Sequence, residues 1–371
     1  MLRPDRSIRR RVLALSAAAV IILLLLTPTA CYLSRGAWEE GKILARRRSI
    51  SELVADRRTD SLVRRKLSLV LAARQYAEDS IRLRAEKSFT TYSKLDRDTL
   101  VLVLSAAYRD RLKAHTWWFP IVGRVPYKGF FDFEAAKREA QKFHDRGYDV
   151  ALRPSAAFST LGFFDDPVTS TTLARDTLEL VNTVIHELTH TTFYASGQAV
   201  FNESFASFVG TRGAAAFFRA RGQPEAAARV EAEWEDDKLL GDFWNALALS
   251  LDSAYAQHPD DKQARILARD TIYIRARQKL VSDIGPRLRT IGPFYVQRVP
   301  LDNASLLARL VYAKDLHLFD QVYEKEGRNL RRTIARVIAL ARSDKSAPYR
   351  ALRQWLAGES PPQQRPEVQK G

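Results

Sequence analysis

The chain has a single cysteine, Cys31, among 371 residues. No intramolecular disulfide can form, so the folded body rests on its core alone. Internal repeats are absent, which excludes a solenoid. Acidic residues are outnumbered, 43 against 59 Lys and Arg, for a formal net charge of +16. Long apolar runs are scarce as well: the most extended, Val12 to Leu26, falls short of the about 20 residues that span a bilayer comfortably. Histidine is rare too, six in all, so two of them at a metal-ligand spacing carry weight.

His186-Glu187-Leu188-Thr189-His190 is such a pair, an HExxH match. Residues four apart on a helix share a face, with Cβ atoms about 5–6 Å from each other. Two imidazoles so placed can close on one zinc at about 2.0–2.1 Å, and Glu187 then projects where it can take a proton from a water activated there. Leu178, Val181, Val184, Ile185 and Leu188 repeat at helical period, so the segment reads as a buried helix. The plain alternative is a packed helix with two satisfied histidines.

A site with two histidines needs a third protein ligand and an open fourth position. After the turn signal Ser196-Gly197-Gln198 comes Ala199-Val-Phe-Asn-Glu-Ser-Phe-Ala206. A second helix starting near Asn202 would pack Phe201, Phe205 and Phe208 on one face. It would place Glu203, Ala206, Ser207 and Gly210 on another, where small residues allow close approach to the first helix. Glu203 is the expected third ligand; otherwise it serves only the helix N-terminus through the macrodipole.

With these motifs the chain resembles the bacterial family of predicted zinc aminopeptidases, which are gluzincin-like. The resemblance runs from Tyr32 to about Arg342. It rests on Trp118-Phe-Pro-Ile-Val-Gly123, Pro126-Tyr-Lys-Gly-Phe-Phe-Asp132, Gly147-Tyr-Asp149, Phe158-Ser-Thr-Leu-Gly-Phe-Phe-Asp-Asp-Pro167, the HELTH segment and Phe201-Asn-Glu-Ser-Phe-Ala206. It implies Zn2+ on His186, His190 and Glu203, with Glu187 as catalyst. Two departures stand out. Trp118 and Arg124 occupy the positions where the family carries cysteines, and an acid often found near Gln198 is missing. Only twelve residues separate His190 from Glu203, so close homology to thermolysin-like enzymes is not implied.

Arg3, Arg6, Arg9, Arg10 and Arg11 precede the apolar run, which ends in Thr-Pro-Thr-Ala-Cys31. A charged start, a short apolar stretch and small residues before a cut site form an export signal. Cys31 stands where a bacterial lipoprotein signal places its lipidated residue; Pro28 replaces the usual leucine. The other reading is an uncleaved anchor extended through Tyr32 and Leu33. Both give export and membrane attachment on the periplasmic side of the envelope. The arginine run also weakly resembles a twin-arginine signal. In a cytosolic protein the positive charge would suggest nucleic acid, but the export signal speaks against it. The clusters Arg46–Arg48, Arg57–Arg58 and Arg64–Lys66 touch anionic lipid headgroups or simply line a solvated helix face.

Residues 1–33 thus read as the signal or anchor, 34–357 as one zincin-like metallopeptidase domain and 358–371 as a disordered tail. The fold class is α+β and mostly helical, with a small sheet beside the HExxH helix and a helical C-terminal part. Residues 36–88 read as helical. Strands are expected at Thr99–Leu104, Thr116–Ile121 and Tyr148–Leu152, with a helix at Phe133–Arg146. The two metal-binding helices fall within 172–221. From Pro224, a good first-turn proline, helical pattern runs to Leu356, broken around Ile291–Pro300.

Three further features complete the expected site. Asp165 and Asp166 precede the metal helix, and either carboxylate could hold a substrate's α-ammonium; an Asp-Pro turn with one capping acid is the bland reading. Tyr312, in another stretch resembling the family (Asn303 to Tyr312), could donate to a developing oxyanion, with Tyr127 as rival, or be a core tyrosine. His115, His144, His258 and His317 lack ligand spacing and receive no role. The expected protein is a membrane-attached zinc aminopeptidase acting on peptides, the alternative a non-catalytic envelope scaffold that keeps the zinc-site fold.

Overall fold

A computed structural model describes residues 28–97, 99, 101–119, 123–155 and 167–359. Helix α1 (Pro28–Ala45) leads into the short strand β1 (Arg48–Ser49), α2 (Ile50–Ala55) and α3 (Ser61–Asp79). Strands follow: β2 (Thr91–Ser93), β3 (Val101–Ala107), β4 (Trp117–Phe119), β5 (Gly123–Val125) and β6 (Lys128–Phe130). After α4 (Phe133–Asp145) come β7 (Asp149–Ser155), β8 (Val168–Thr169) and the one-turn helix α5 (Ser170–Ala174). The rest is helical: α6 (Thr177–Thr192), α7 (Ala199–Ala220), α8 (Pro224–Ala256), α9 (Lys262–Lys279), α10 (Pro293–Arg298), α11 (Asn303–Leu310), α12 (Leu316–Lys325), α13 (Leu330–Ser343) and α14 (Pro348–Ala357). Among the described residues no helix is long and apolar enough to cross a membrane.

The class is α+β and mostly helical, as the patterning implies, but the strands divide differently. They form two three-stranded sheets, β1-β2-β8 and β6-β3-β7, and a β4-β5 hairpin, rather than a single sheet. In the larger unit β3 is central and pairs antiparallel with β7 over its whole length, from Val101↔Ser155 to Ala107↔Asp149. That sheet packs on α4 and α11. The HExxH helix α6 is packed chiefly between α3 and α7. In the hairpin Trp118 lies directly opposite Arg124. Trp118 and Arg124, the two positions at which the resemblance implies cysteines, are thus cross-strand partners, about 4.5–5.5 Å apart at Cβ in such a pair.

Boundaries shift where local signals compete. Helix α7 starts at Ala199, three residues before Asn202, because the turn closes early: Asn202 Nδ2 donates to Ala195 O and its Oδ1 accepts from Ala195 N, both at 2.8 Å. The expected break at Ile291–Pro300 contains α10, with Pro293 in its first turn. Residues 36–88 hold three helices and a strand rather than one continuous helical stretch. Of the expected disordered tail, 358–371, only Gly358 and Glu359 are among the described residues, and Gly358 caps α14 at φ 81°.

One core encloses both site helices. Leu180, Val181, Val184, Ile185 and Leu188 from α6 meet Phe201, Phe205, Phe208 and Val209 from α7, with Leu67 and Val70 from α3 beneath. Leu178 is only half-buried. A second cluster, with Trp244, Leu251, Tyr255, Tyr273 and Leu280, stabilises the α8–α9 region.

Candidate metal centre

Helix α6 is fixed at both ends by residues the sequence reading did not single out. Asp176 caps its start, accepting from Leu178 N and Glu179 N at 2.8 Å. Asp176 followed three residues later by Glu179 is a readable start signal. Lys66 Nζ donates to Leu173 O at 2.8 Å and Arg175 O at 2.6 Å, gripping the chain just before the helix. This takes Lys66 out of the basic cluster assigned to lipid or solvent. At the C-terminus Arg84 donates to Thr191 O at 3.0 Å and Thr192 O at 2.9 Å, satisfying terminal carbonyls and complementing the macrodipole.

On this frame His186 and His190 present Nε2 atoms 3.2 Å apart, the rings at 79° to each other. Glu203 reaches across from the first turns of α7: its Oε2 is 3.5 Å from His186 Nε2 and its Oε1 3.6 Å from His190 Nε2. Three donors held tetrahedrally at about 2.0–2.1 Å lie about 3.3–3.4 Å from one another. The observed spacing fits one zinc with small adjustments, and the three residues form a group that could hold a metal ion. Their side chains are 17–25% exposed, so the pocket is walled by protein yet open to a ligand. Burial alone would raise the Glu203 carboxyl, but hydrogen bonds and charge from the two histidines hold it down at about 2. For His190 burial opposes the charged form, and Glu203 and Glu187 outweigh it, so its pKa is raised.

Glu187, half-buried, is next to His186 on α6. Arg175 lies within electrostatic reach of it, and burial lowers the Arg175 guanidinium while Glu187 and Asp176 oppose that shift. Tyr312 is not a core residue: 46% of it is open. Protein atoms nevertheless crowd its hydroxyl, and this desolvation, followed by the Glu203 charge, pushes its pKa up to about 12. The chain next to it is tied to the start of α7, because Tyr349 Oη donates to Lys314 O at 3.1 Å and lies 3.4 Å from Val200 O. Tyr127, 49% exposed, also feels Glu203, after desolvation, in a raised pKa. Two residues not anticipated complete the mouth. Tyr194, one turn past His190, places its ring 6.4 Å from that imidazole. Arg153 on β7 is exposed, its side chain makes no hydrogen bond or ion pair among the described residues, and it is close enough to lower the Tyr312 hydroxyl. Of the two acids expected to hold an α-ammonium, Asp165 and Asp166, both lie outside the described residues. Cys31 falls within α1, and its side chain is likewise outside them.

The other histidines are accounted for as packing or surface groups. His115 stacks edge-on against Trp117, 4.7 Å between centroids, and beside Phe143, while His317 pairs with Asp242 at 2.9 Å. His144 is exposed and His258 half-buried; neither approaches the centre.

The wall carrying Tyr312 is anchored at Asn303, which is fully buried. Its Oδ1 accepts from Tyr273 Oη at 2.7 Å, its Nδ2 donates to Tyr108 O at 2.7 Å, and its backbone N donates to Asp149 Oδ2 at 2.9 Å. Asp149 also pairs with Arg269. One residue thus joins α11 to β7, to the end of β3 and to α9.

No curated protein and no solved structure matches the chain. Residues 31–352 match the model of a family described as "Putative aminopeptidase", and the chain belongs to that family.

Proposed function

We propose that the chain is a zinc-dependent aminopeptidase of zincin-like architecture, held at the periplasmic face of a bacterial membrane through its N-terminus. The observation that carries the reading is the convergence of His186, His190 and Glu203 at tetrahedral spacing, with Glu187 beside His186, in a member of an aminopeptidase family. A donor set of two histidines and one glutamate is that of a catalytic zinc site with an open position. Bound there, zinc would supply Lewis-acid polarisation of the scissile carbonyl and lower the pKa of water. Glu187 accepts the proton of the attacking water as its oxygen bonds to the carbonyl carbon. It returns that proton to the amine nitrogen as the C–N bond breaks. Tyr312 stays protonated at neutral pH and can donate to the carbonyl oxygen as negative charge grows on it. Asp165 or Asp166 would hold the free α-ammonium that distinguishes an aminopeptidase substrate.

Glu187→Gln preserves shape and ligands while removing the base. Zinc content should stay at the parent level and peptide turnover fall by about 10²–10⁴-fold. Parent-like turnover in this variant overturns the mechanism. Stoichiometric zinc with no hydrolysis by the parent of any peptide in a mixed panel moves the assignment to the scaffold reading. Attachment is tested separately. Intact mass of the mature protein should show a diacylglycerol-modified Cys31 at the N-terminus, and Cys31→Ser should leave a longer precursor; an intact Arg-rich start shows an uncleaved anchor instead.

A further inference from the structure

We propose that Tyr127 and Tyr194, with the ring of Tyr312, wall a subsite that selects a bulky apolar side chain on the residue whose carbonyl is attacked. The inference rests on the peptidase reading above and adds the substrate class to it.

Among the described residues seven aromatic side chains keep at least 46% of their surface open: Trp38, Trp118, Tyr127, Tyr194, Phe294, Tyr295 and Tyr312. Exposed aromatics scattered singly need no explanation. Three of these seven, however, come within ring contact or electrostatic reach of the candidate centre. Tyr194 is in ring contact with the ligand His190. Tyr127 is influenced by both Glu203 and Tyr194, and Tyr312 by Glu203, Glu187 and Tyr127. They arrive from three distant parts of the chain: the residue before β6, the turn after α6 and the turn after α11. Core packing brings Phe201, Phe205, Phe208 and Phe319 together with almost no exposed surface; the tyrosines converge without being covered. Large, rigid, half-open aromatic surfaces around a few polar groups are what a small-ligand pocket presents. A tyrosine suits the position because its ring offers apolar area while its hydroxyl remains hydrated.

Charge narrows the occupant. The charge of Arg153, which reaches Tyr312, repels a cationic side chain, and an acidic one would lose hydration against three rings that offer it no counter-charge. A large neutral apolar group, aromatic or branched, gains most from the three rings.

The test offers free-N-terminus peptides X-Ala-Ala-Ala, with X as Phe, Leu, Ala, Lys or Glu, to the zinc-loaded full chain, with cleavage followed by mass spectrometry. The parent should cleave Phe and Leu peptides at least about tenfold more efficiently than the others. Tyr194→Ala and Tyr127→Ala should each lose about ten- to a hundredfold on the Phe peptide, the scale of losing a buried aromatic contact, and less than about threefold on the Ala peptide. Tyr194→Phe and Tyr127→Phe should keep the preference, which separates a wall from a hydrogen-bond donor. Flat preference in the parent, or equal loss on Phe and Ala peptides in the alanine variants, overturns the subsite while leaving the peptidase reading intact. A parent with full zinc that cleaves none of the five overturns both.

Discussion

Gly210 sets how closely the two site helices approach. A Cβ there would collide with Asn182 Oδ1 and stand 3.1 Å from both Asn182 O and His186 Cβ. Gly213, one turn on, would place a Cβ 2.9 Å from Ile185 Cγ2. Glu203 can meet two histidines of the neighbouring helix because these positions carry no side chain. Gly210→Ala should therefore cost about 1–3 kcal/mol of stability, the usual penalty of overpacking. It should also weaken zinc binding, since His186 is one of the atoms displaced. Thermal unfolding with and without zinc, together with a chelator competition, reads both; unchanged values would mean the interface has slack. The small-residue stripe was legible in the sequence because it recurs at helical period beside the acid. The residues that hold the frame, Asn202, Lys66 and Arg84, were not. Their bonds run to backbone carbonyls and amides, and a carbonyl leaves no mark in the identity of the residue that bears it.

At the scale of elements, the site is assembled from two walls. Helix α6 with α7 supplies the candidate metal ligands, and the turn after α11 supplies Tyr312. The ligand helices were readable from motif and period, down to Pro224 opening α8 and Phe133 opening α4. The placing of α11 was not. It depends on Asn303, whose partners Tyr108, Asp149 and Tyr273 are 195, 154 and 30 residues away in sequence. No local pattern encodes such pairings, and strands as short as β8 have too few residues to show alternation. Asn303→Ala would leave the Tyr273 hydroxyl and the Tyr108 carbonyl buried without their partner, each loss costing about 1–3 kcal/mol. A destabilisation of about 2–4 kcal/mol by urea unfolding is expected. Turnover should fall more than zinc affinity, because the ligands sit on the other wall. Equal loss of zinc binding would show that the two walls move as one.

At the scale of the whole molecule, Asp320 on α12 ties the C-terminal helices to the core that carries the candidate metal centre. Its Oδ1 accepts from Arg212 Nη2 on α7 at 2.5 Å; its Oδ2 accepts from Trp234 Nε1 at 2.9 Å and Lys238 Nζ at 2.7 Å, both on α8. Burial by itself would raise this carboxyl, but the hydrogen bonds and charges of Lys238, Arg212 and Trp234 more than offset it, and its pKa is lowered. Only 15% of the Asp320 side chain is open, against 16% for Arg212 and 10% for Lys238. Solvent therefore screens the cluster weakly. Removing the anion leaves Lys238 with Glu235 at 2.8 Å and Arg212 with Glu231 at 3.8 Å, both partners more open to solvent, so the loss stays at or below the lower end of the about 3–5 kcal/mol of a broken buried pair. Asp320→Asn should accordingly unfold at lower urea than the parent at pH 7. The pH dependence follows from the direction of the shift. A carboxyl whose native pKa is below its unfolded value, about 3.9, contributes fully above that value and loses its contribution as pH falls through the native one. The difference between parent and variant should stay constant from pH 8 to 5 and narrow only below about pH 4. A difference that instead widens as pH falls from 7 to 5 would mean that burial, raising the native pKa, and not the surrounding cations, governs how Asp320 titrates.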